Sequence, residues 1–120
     1  MPTKTENEPL RSQKERREVV EKINSICPDF TEYLDQLLDF HESRDELSSH
    51  EREIAIISSL ITLGFTKDQI NIHFHKALDL GMTAGQIAEI ILHISMYAGM
   101  PAAVNAFTTL KSTLDSREDK

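Results

Sequence analysis

The chain has 120 residues, of which 39% are hydrophobic and 28% charged, and a formal net charge of −7. This length suffices for one domain with one core, and the acidic balance argues against a general nucleic-acid-binding surface, because phosphate contacts need basic side chains. The single cysteine, Cys27, cannot form an intrachain disulfide. There is no signal-peptide pattern, and no apolar run reaches the roughly 20 residues that span a bilayer. We therefore expect a cytoplasmic protein without membrane segments.

The pattern of apolar residues predicts one all-α domain, residues 11–115, between two disordered polar tails, residues 1–10 and 116–120. Helix start and stop signals divide the domain into six helices, and no segment reads convincingly as a strand. The predicted helices run from Ser12 to Ile26, from Asp29 to about Phe40, from Ser48 to Gly64, from Thr66 to Gly81, from Thr83 to Gly99 and from Pro101 to about Leu114.

Local signals place these boundaries. Three helix starts have the spacing of a capping box, Ser48 with Glu51, Thr66 with Gln69 and Thr83 with Gln86. Two of these starts also have apolar residues placed for a hydrophobic staple, Phe65 with Ile70 and Met82 with Ile87. Asp29 is predicted to cap the second helix, and Gly81 is a good residue for the position after the fourth.

The third and fifth helices are apolar on nearly every face, which predicts burial on more than one side. The short loop between the fourth and fifth helices predicts that they form an antiparallel hairpin. A chain of 120 residues has difficulty enclosing two such helices. Contact between copies of the chain would bury their outer faces, so we expect a homo-oligomer.

Two residues in apolar surroundings are candidates for chemistry, Glu53 and His73. Glu53 shares a helix face with apolar residues, and the alternative to a functional role is a capping or salt-bridged carboxylate near a helix start. His73 lies on the apolar face of the fourth helix, where imidazole can exchange a proton near neutral pH. The alternative for His73 is a core histidine hydrogen-bonded to a backbone carbonyl.

Other histidines are weaker candidates. His75 points about 200° away from His73 on a helix with 3.6 residues per turn, so the two cannot hold one metal ion, and no metal site is predicted. We expect His75 at a subunit contact or on the surface. His93 and Tyr97 belong to a polar stripe on the fifth helix that is either an oligomer contact or one wall of a pocket. His41 and His50 lie among charged residues and are expected at the surface, and Cys27 is interpreted as an incidental thiol.

A family resemblance covers Ser49 to Leu114. It rests on Arg52-Glu53-Ile54, on His73 with Ala77 and Gly81-Met82-Thr83, and above all on Glu89-Ile90-Ile91-Leu92-His93, Tyr97-Ala98-Gly99-Met100-Pro101-Ala102-Ala103 and Asn105-Ala106-Phe107. These segments resemble the carboxymuconolactone decarboxylase family, which includes the AhpD-like alkylhydroperoxidases. The resemblance implies an all-α fold with a core helical hairpin, assembled into trimers or hexamers.

The resemblance also implies a reaction. In the decarboxylase branch, 4-carboxymuconolactone, an intermediate of aromatic catabolism, loses CO2 without a cofactor, since the electrons spread to the lactone carbonyl. The implied roles are acid/base for His73, orientation of His73 for Glu53, and substrate binding for His93, Tyr97, His75 and Arg52.

The peroxidase branch has a Cys-x-x-Cys pair before its histidine, where this chain has Thr66 and Gln69, so a peroxiredoxin-type antioxidant is disfavoured. A non-catalytic oligomeric binding protein is the remaining alternative.

Overall fold

The computed structural model describes residues 10–118, which form six helices and no strand. The predicted all-α fold is confirmed. The helices are α1 (Arg11–Asn24), α2 (Pro28–Glu42), α3 (Ser49–Leu63), α4 (Lys67–Asp79), α5 (Ala84–Ala98) and α6 (Met100–Glu118). No helix in this range is both long and apolar enough to cross a membrane. The predicted N-terminal tail falls almost entirely on residues 1–9, which lie outside the described part of the chain.

The core lies between α3, α4, α5 and α6. Its buried side chains are Ile57, Ile61, Ile70, Phe74, Ala77, Met82, Ile87, Ile91, Ala103, Ala106 and Leu110. On each helix these residues recur every three or four positions, as an apolar face requires. The most extensive pairing joins α5 and α6, which Gly99 alone connects, whereas α4 packs mainly on α1, α3 and α6 and touches α5 only slightly.

Two of the predicted capping boxes are present, at Ser48 and at Thr83. Gly81 also takes its predicted place after α4, with φ at +97°. The amide of Met82 donates to the carbonyl of Ala77 and the amide of Gly81 donates to that of Leu78, both at 3.0 Å. This is a Schellman motif, which favours glycine at the left-handed position.

Two predicted caps are wrong. Thr66 accepts no hydrogen bond at the start of α4. Its hydroxyl instead donates to the carbonyl of Leu60 at 2.6 Å, which ties the end of α3 to the next loop. Phe65 is 89% exposed and therefore forms no staple. The second helix starts with Pro28 after Cys27 rather than with Asp29 as the cap, because proline fits the first turn, where its missing N–H costs nothing.

The last helix is longer than predicted. It continues to Glu118, so residues 116–118 are helical rather than part of a tail. Arg117 in this last turn pairs with Asp79 of α4, N–O 3.0 Å. A tertiary contact thus stabilises a helical turn whose polar composition alone predicts a disordered tail.

Helix α2 packs chiefly on α1 and leaves a gap toward α4. Helix α1 runs antiparallel along α4, since Ser12 contacts Asp79 while Glu15 lies near His75, one turn earlier on α4. The three helices α1, α2 and α4 therefore enclose a space beside the core.

Candidate active site

The side chains of His73 and Glu53 meet where α4 crosses α3. Nδ1 of His73 lies 2.6 Å from Oε1 of Glu53. Glu53 stands on the same face of α3 as the core residues Ile57 and Ile61, one and two turns away, so it is carried inward and only 1% exposed. A buried carboxylate needs a polar partner, and the imidazole supplies one. The structure thus brings together the two residues predicted to carry the chemistry.

The proton arrangement of His73 follows from its partner. An ionised carboxylate has no proton and only accepts hydrogen bonds, so Nδ1 of His73 carries the hydrogen and donates it to Glu53. This leaves Nε2 as the nitrogen that can take or give a proton. His73 is half-buried and lines a cavity, so a ligand can reach its ring.

The cavity between α1, α2 and α4 has a volume of about 530 Å³. That is the size range of small-molecule sites. Its walls are mostly apolar, and the lining residues are Leu10, Ser12, Gln13, Arg16, Val19, Val20, Ile23, Phe30, Leu34, Leu38, Glu42, Gln69, Ile72, His73, Lys76, Asp79 and Leu80.

Two cations line the cavity, and both already face carboxylates. Nζ of Lys76 lies 3.9 Å from Oε1 of Glu42 and 4.0 Å from Oε2 of Glu53. Arg16 on α1 is 3.5 Å from Asp35, an exposed residue of α2. Lys76 is therefore linked through Glu53 to His73, whereas Arg16 is paired with Asp35, which lies outside the cavity lining.

Gln69 and Lys76 are site residues that the sequence reasoning did not select. The sequence pattern assigns Gln69 to a helix cap and does not single out Lys76. Together with His73 they follow a stripe at positions i, i+4 and i+7 of α4, and all three line the cavity. That spacing was the signal available in the sequence. At the two positions where the peroxidase branch has cysteines, this chain places the structural hydroxyl of Thr66 and the amide of Gln69.

His75 is fully buried, and the expectation that it lies at the surface or a subunit contact is wrong. Its Nδ1 lies 3.1 Å from the guanidinium of Arg117, which also binds Asp79 at 3.0 Å. A guanidinium only donates, so Nδ1 accepts and the proton resides on Nε2. That nitrogen lies 3.6 Å from Oε1 of Glu15, too far for a hydrogen bond.

Burial favours the neutral form of this second histidine. Burial lowers the pKa of His75, against the attraction of Glu15. Burial alone would raise the pKa of Asp79, but hydrogen bonds from Ser12 and Arg117 outweigh it and hold the pKa below its ordinary value. This group joins α1, α4 and α6, and His75 itself does not line the cavity, so it is placed to fix helices rather than to meet a ligand.

The other predicted substrate-binding residues do not line the cavity. Arg52 donates to the carbonyls of His41 and Arg44 at the end of α2. His93 and Tyr97 are exposed on α5, with Tyr97 75% exposed and the two ring centres 6.4 Å apart. A substrate role for these three residues stays a prediction.

The comparisons with known proteins agree with one another. The carboxymuconolactone decarboxylase family matches residues 28–112, which include α2 as well as the segments identified above. A 4-carboxymuconolactone decarboxylase of Acinetobacter baylyi is 33% identical over 86 residues, 70% of this chain and 63% of that protein. A nitrosuccinic acid decarboxylase of Metarhizium robertsii is 31% identical over 67 residues, 52% of this chain and 47% of that protein. The chain spans less than two thirds of the length of these two relatives. It belongs to the carboxymuconolactone decarboxylase family.

Proposed function

We propose that this protein decarboxylates a small carboxylic acid of the 4-carboxymuconolactone type, with His73 as the acid/base and Glu53 as its positioning residue. The observation that carries the proposal is the 2.6 Å contact between Nδ1 of His73 and the buried Glu53, at the wall of a cavity of ligand size. The two relatives are named for decarboxylation of different acids, which supports the reaction class more than any one substrate.

The proposed step needs a substrate whose carbonyl accepts electrons. The bond between the carboxyl carbon and its neighbour breaks, CO2 leaves, and the electron pair moves through the conjugated system to the carbonyl oxygen, giving an enolate. Nε2 of the His73 imidazolium then donates a proton to carbon, and water restores that proton. General acid catalysis of this kind contributes about 10²- to 10⁴-fold to a rate.

Groups beside His73 suit the charges of this step. Lys76 attracts the substrate carboxylate before CO2 leaves, and the amide of Gln69 donates to the developing enolate oxygen. Both side chains line the cavity on the same stripe of α4 as His73. Glu53 stabilises the imidazolium and holds the ring with Nε2 free, which a neutral hydrogen-bond partner would do less well.

The antioxidant alternative gains no support from the cavity. Its lining contains no thiol, and Cys27 is exposed at the junction of α1 and α2. Thr66 and Gln69 cannot form a disulfide. We therefore propose cleavage of a carbon–carbon bond, with the reaction taking place at His73. Ligand binding without turnover would contradict this proposal.

We also propose that the protein assembles with copies of itself. Large apolar side chains remain exposed on α5 and α6, among them Leu92, Met96 (74% exposed) and Met100. Large exposed apolar side chains of this kind are typical of a subunit interface. Light scattering that gives the mass of a single chain would contradict the assembly.

The function is tested by CO2 release and ultraviolet absorbance with 4-carboxymuconolactone and a panel of 3-oxo acids. We expect enzyme-dependent decarboxylation of at least one acid and its loss in His73→Gln. His50→Gln, which removes an exposed histidine, is the matched control. Absence of turnover with every acid, by a folded protein, would contradict the proposed function.

A further inference from the structure

The cavity is chemically divided along its length. Apart from Gln69 in the first turn of α4, its polar side chains gather where the first turns of α1 pass the later turns of α4, since Ser12 contacts Asp79 and Lys76 faces Glu42. Toward the junction of α1 and α2, marked by the hydrogen bond between Thr31 and Asn24, the lining is apolar. The residues of this apolar end are Val19, Val20, Ile23, Phe30 and Leu34.

The charges of the wall leave room for one carboxylate. The two cations, Arg16 and Lys76, are matched by two carboxylates, Glu42 and Asp79, so the lining has no net charge when His73 is neutral. With His73 as the imidazolium of the proposed step, the lining carries one net positive charge, which one substrate carboxylate balances. Asp79 is paired with Arg117, and Lys76 lies between Glu42 and Glu53. A second carboxylate in the cavity would compete with Asp35 for Arg16 or would meet apolar side chains or Glu42, and burial of an unpaired charge is costly.

We infer that the cavity binds amphipathic monocarboxylic acids, with the carboxylate at Lys76 and His73 and an apolar body in the end formed by α1 and α2. Resting on the proposed function, this makes the substrate class a 3-oxo or vinylogous monocarboxylic acid with a hydrocarbon body. The acid would lose CO2 as described above and leave a ketone that is one carbon atom shorter.

The physical basis is the match between the cavity and such a ligand. Nine of the seventeen lining residues have hydrocarbon or aromatic side chains, and each methylene moved from water to such a wall strengthens binding by about fourfold. A short, densely carboxylated acid leaves the apolar end without a partner. The volume of about 530 Å³ accommodates a body much longer than a carboxylactone ring.

The test measures binding to the intact protein by titration calorimetry, with stable saturated acids that cannot react. Butanoate, hexanoate and octanoate, all below their micelle concentrations, form the length series, and octanedioate matches octanoate in length with a second charge at its tail. We expect affinity to rise at least threefold per added methylene pair and octanoate to bind at least tenfold more tightly than octanedioate. Equal affinities along the series, tighter binding of the diacid, or no binding of any acid would overturn the inference.

Two variants on one helix locate the apolar end. Leu34→Gln places an amide in the lining and is expected to weaken octanoate about tenfold while changing butanoate little. Leu37→Gln, outside the lining on the same helix, is the matched control and should leave both affinities unchanged. Lys76→Gln should weaken octanoate but not octanol. Equal effects of Leu34→Gln and Leu37→Gln would also overturn the inference.

This experiment separates two failures. Chain-length-dependent binding without turnover of any 3-oxo acid would leave the ligand class in place and refute the proposed reaction. Turnover of 4-carboxymuconolactone with no dependence of binding on chain length would leave the reaction in place and refute the ligand class.

Discussion

Helix α4 carries two histidines two residues apart, and their surroundings are opposite. His73 faces a cavity, and its partner is the carboxylate of Glu53 on α3. His75 faces α1 and α6, is fully buried, and accepts from the guanidinium of Arg117. A ligand has a path to the first ring and none to the second. The role of a histidine on an apolar helix face therefore depends on its partner and on whether a ligand can reach the ring.

The comparison also separates two uses of charge. On the cavity side, Glu53 and Lys76 are arranged around a ring that can change protonation. At the polar end of the cavity, Asp79 pairs with Arg117 of α6 and accepts a hydrogen bond from the backbone amide of Ser12 of α1. Because α1 is itself a wall of the cavity, the contact of Asp79 with α1 also maintains the shape of the cavity.

The largest expected effect is on turnover, in His73→Gln. Loss of the acid/base should lower kcat/KM by about 10²- to 10⁴-fold, while the midpoint of urea unfolding changes little because the glutamine amide can still donate to the buried Glu53. Steady-state kinetics and circular dichroism in urea measure the two quantities. His50→Gln, at an exposed position, should retain full turnover. Undiminished kcat/KM in His73→Gln would contradict the different roles assigned to His73 and His75.

The next effect is on stability, in Asp79→Ala. The change leaves Arg117 and the amide of Ser12 without their partner, and removal of one member of a largely buried ion pair costs about 3 kcal/mol. Urea unfolding measures it. Asp115→Ala removes one member of the exposed pair with Lys111 and should have no measurable effect on unfolding. Equal losses in both variants would mean that the group around His75 does not fix α1.

Glu53→Gln should lower turnover by about tenfold to a hundredfold, less than the loss of His73 itself, because an amide still orients the ring but no longer stabilises the imidazolium. The distinguishing measurement is the pH–rate profile, which should differ in shape from that of the parent protein. Glu32→Gln, exposed on α2, is the control. A rate loss with an unchanged profile would indicate a purely structural carboxylate.

The smallest effect concerns pH and stability. Burial lowers the pKa of His75 in the folded chain from 6.5, so below pH 6.5 the unfolded chain binds more protons than the folded one. The free energy of unfolding should therefore fall as pH decreases from 6.5, by at most about 1.4 kcal/mol per pH unit from this group. Well above pH 6.5 both states are neutral at His75 and it adds no pH dependence.

Urea unfolding between pH 7.5 and 5 measures this slope. His75→Asn, which keeps an acceptor for Arg117, should flatten the slope, and His50→Asn should leave it unchanged. Asp79 acts at lower pH, because its lowered pKa gives stability that is present above 3.8 and lost as the pH falls through its folded value. A slope that His75→Asn does not alter would assign the pH dependence to other groups.

Sequence signals with a local cause predicted this fold well. The boxes at Ser48 and Thr83 and the glycine after α4 depend on residues within one turn of each other, and all three are present. The failures had tertiary causes. Thr66 binds the carbonyl of Leu60 instead of capping α4, and the last turn of α6 persists because Arg117 reaches Asp79.

For the site, the sequence alone determined that His73 and Glu53 lie on apolar helix faces and that His73 and His75 point apart, since both follow from helical periodicity. Only the tertiary structure decided which ring meets a cavity and which meets a guanidinium. It also drew Gln69 and Lys76 into the site and left Arg52 at the end of α2. Periodicity fixes the direction of a side chain around its own helix, whereas its partner depends on how distant segments pack.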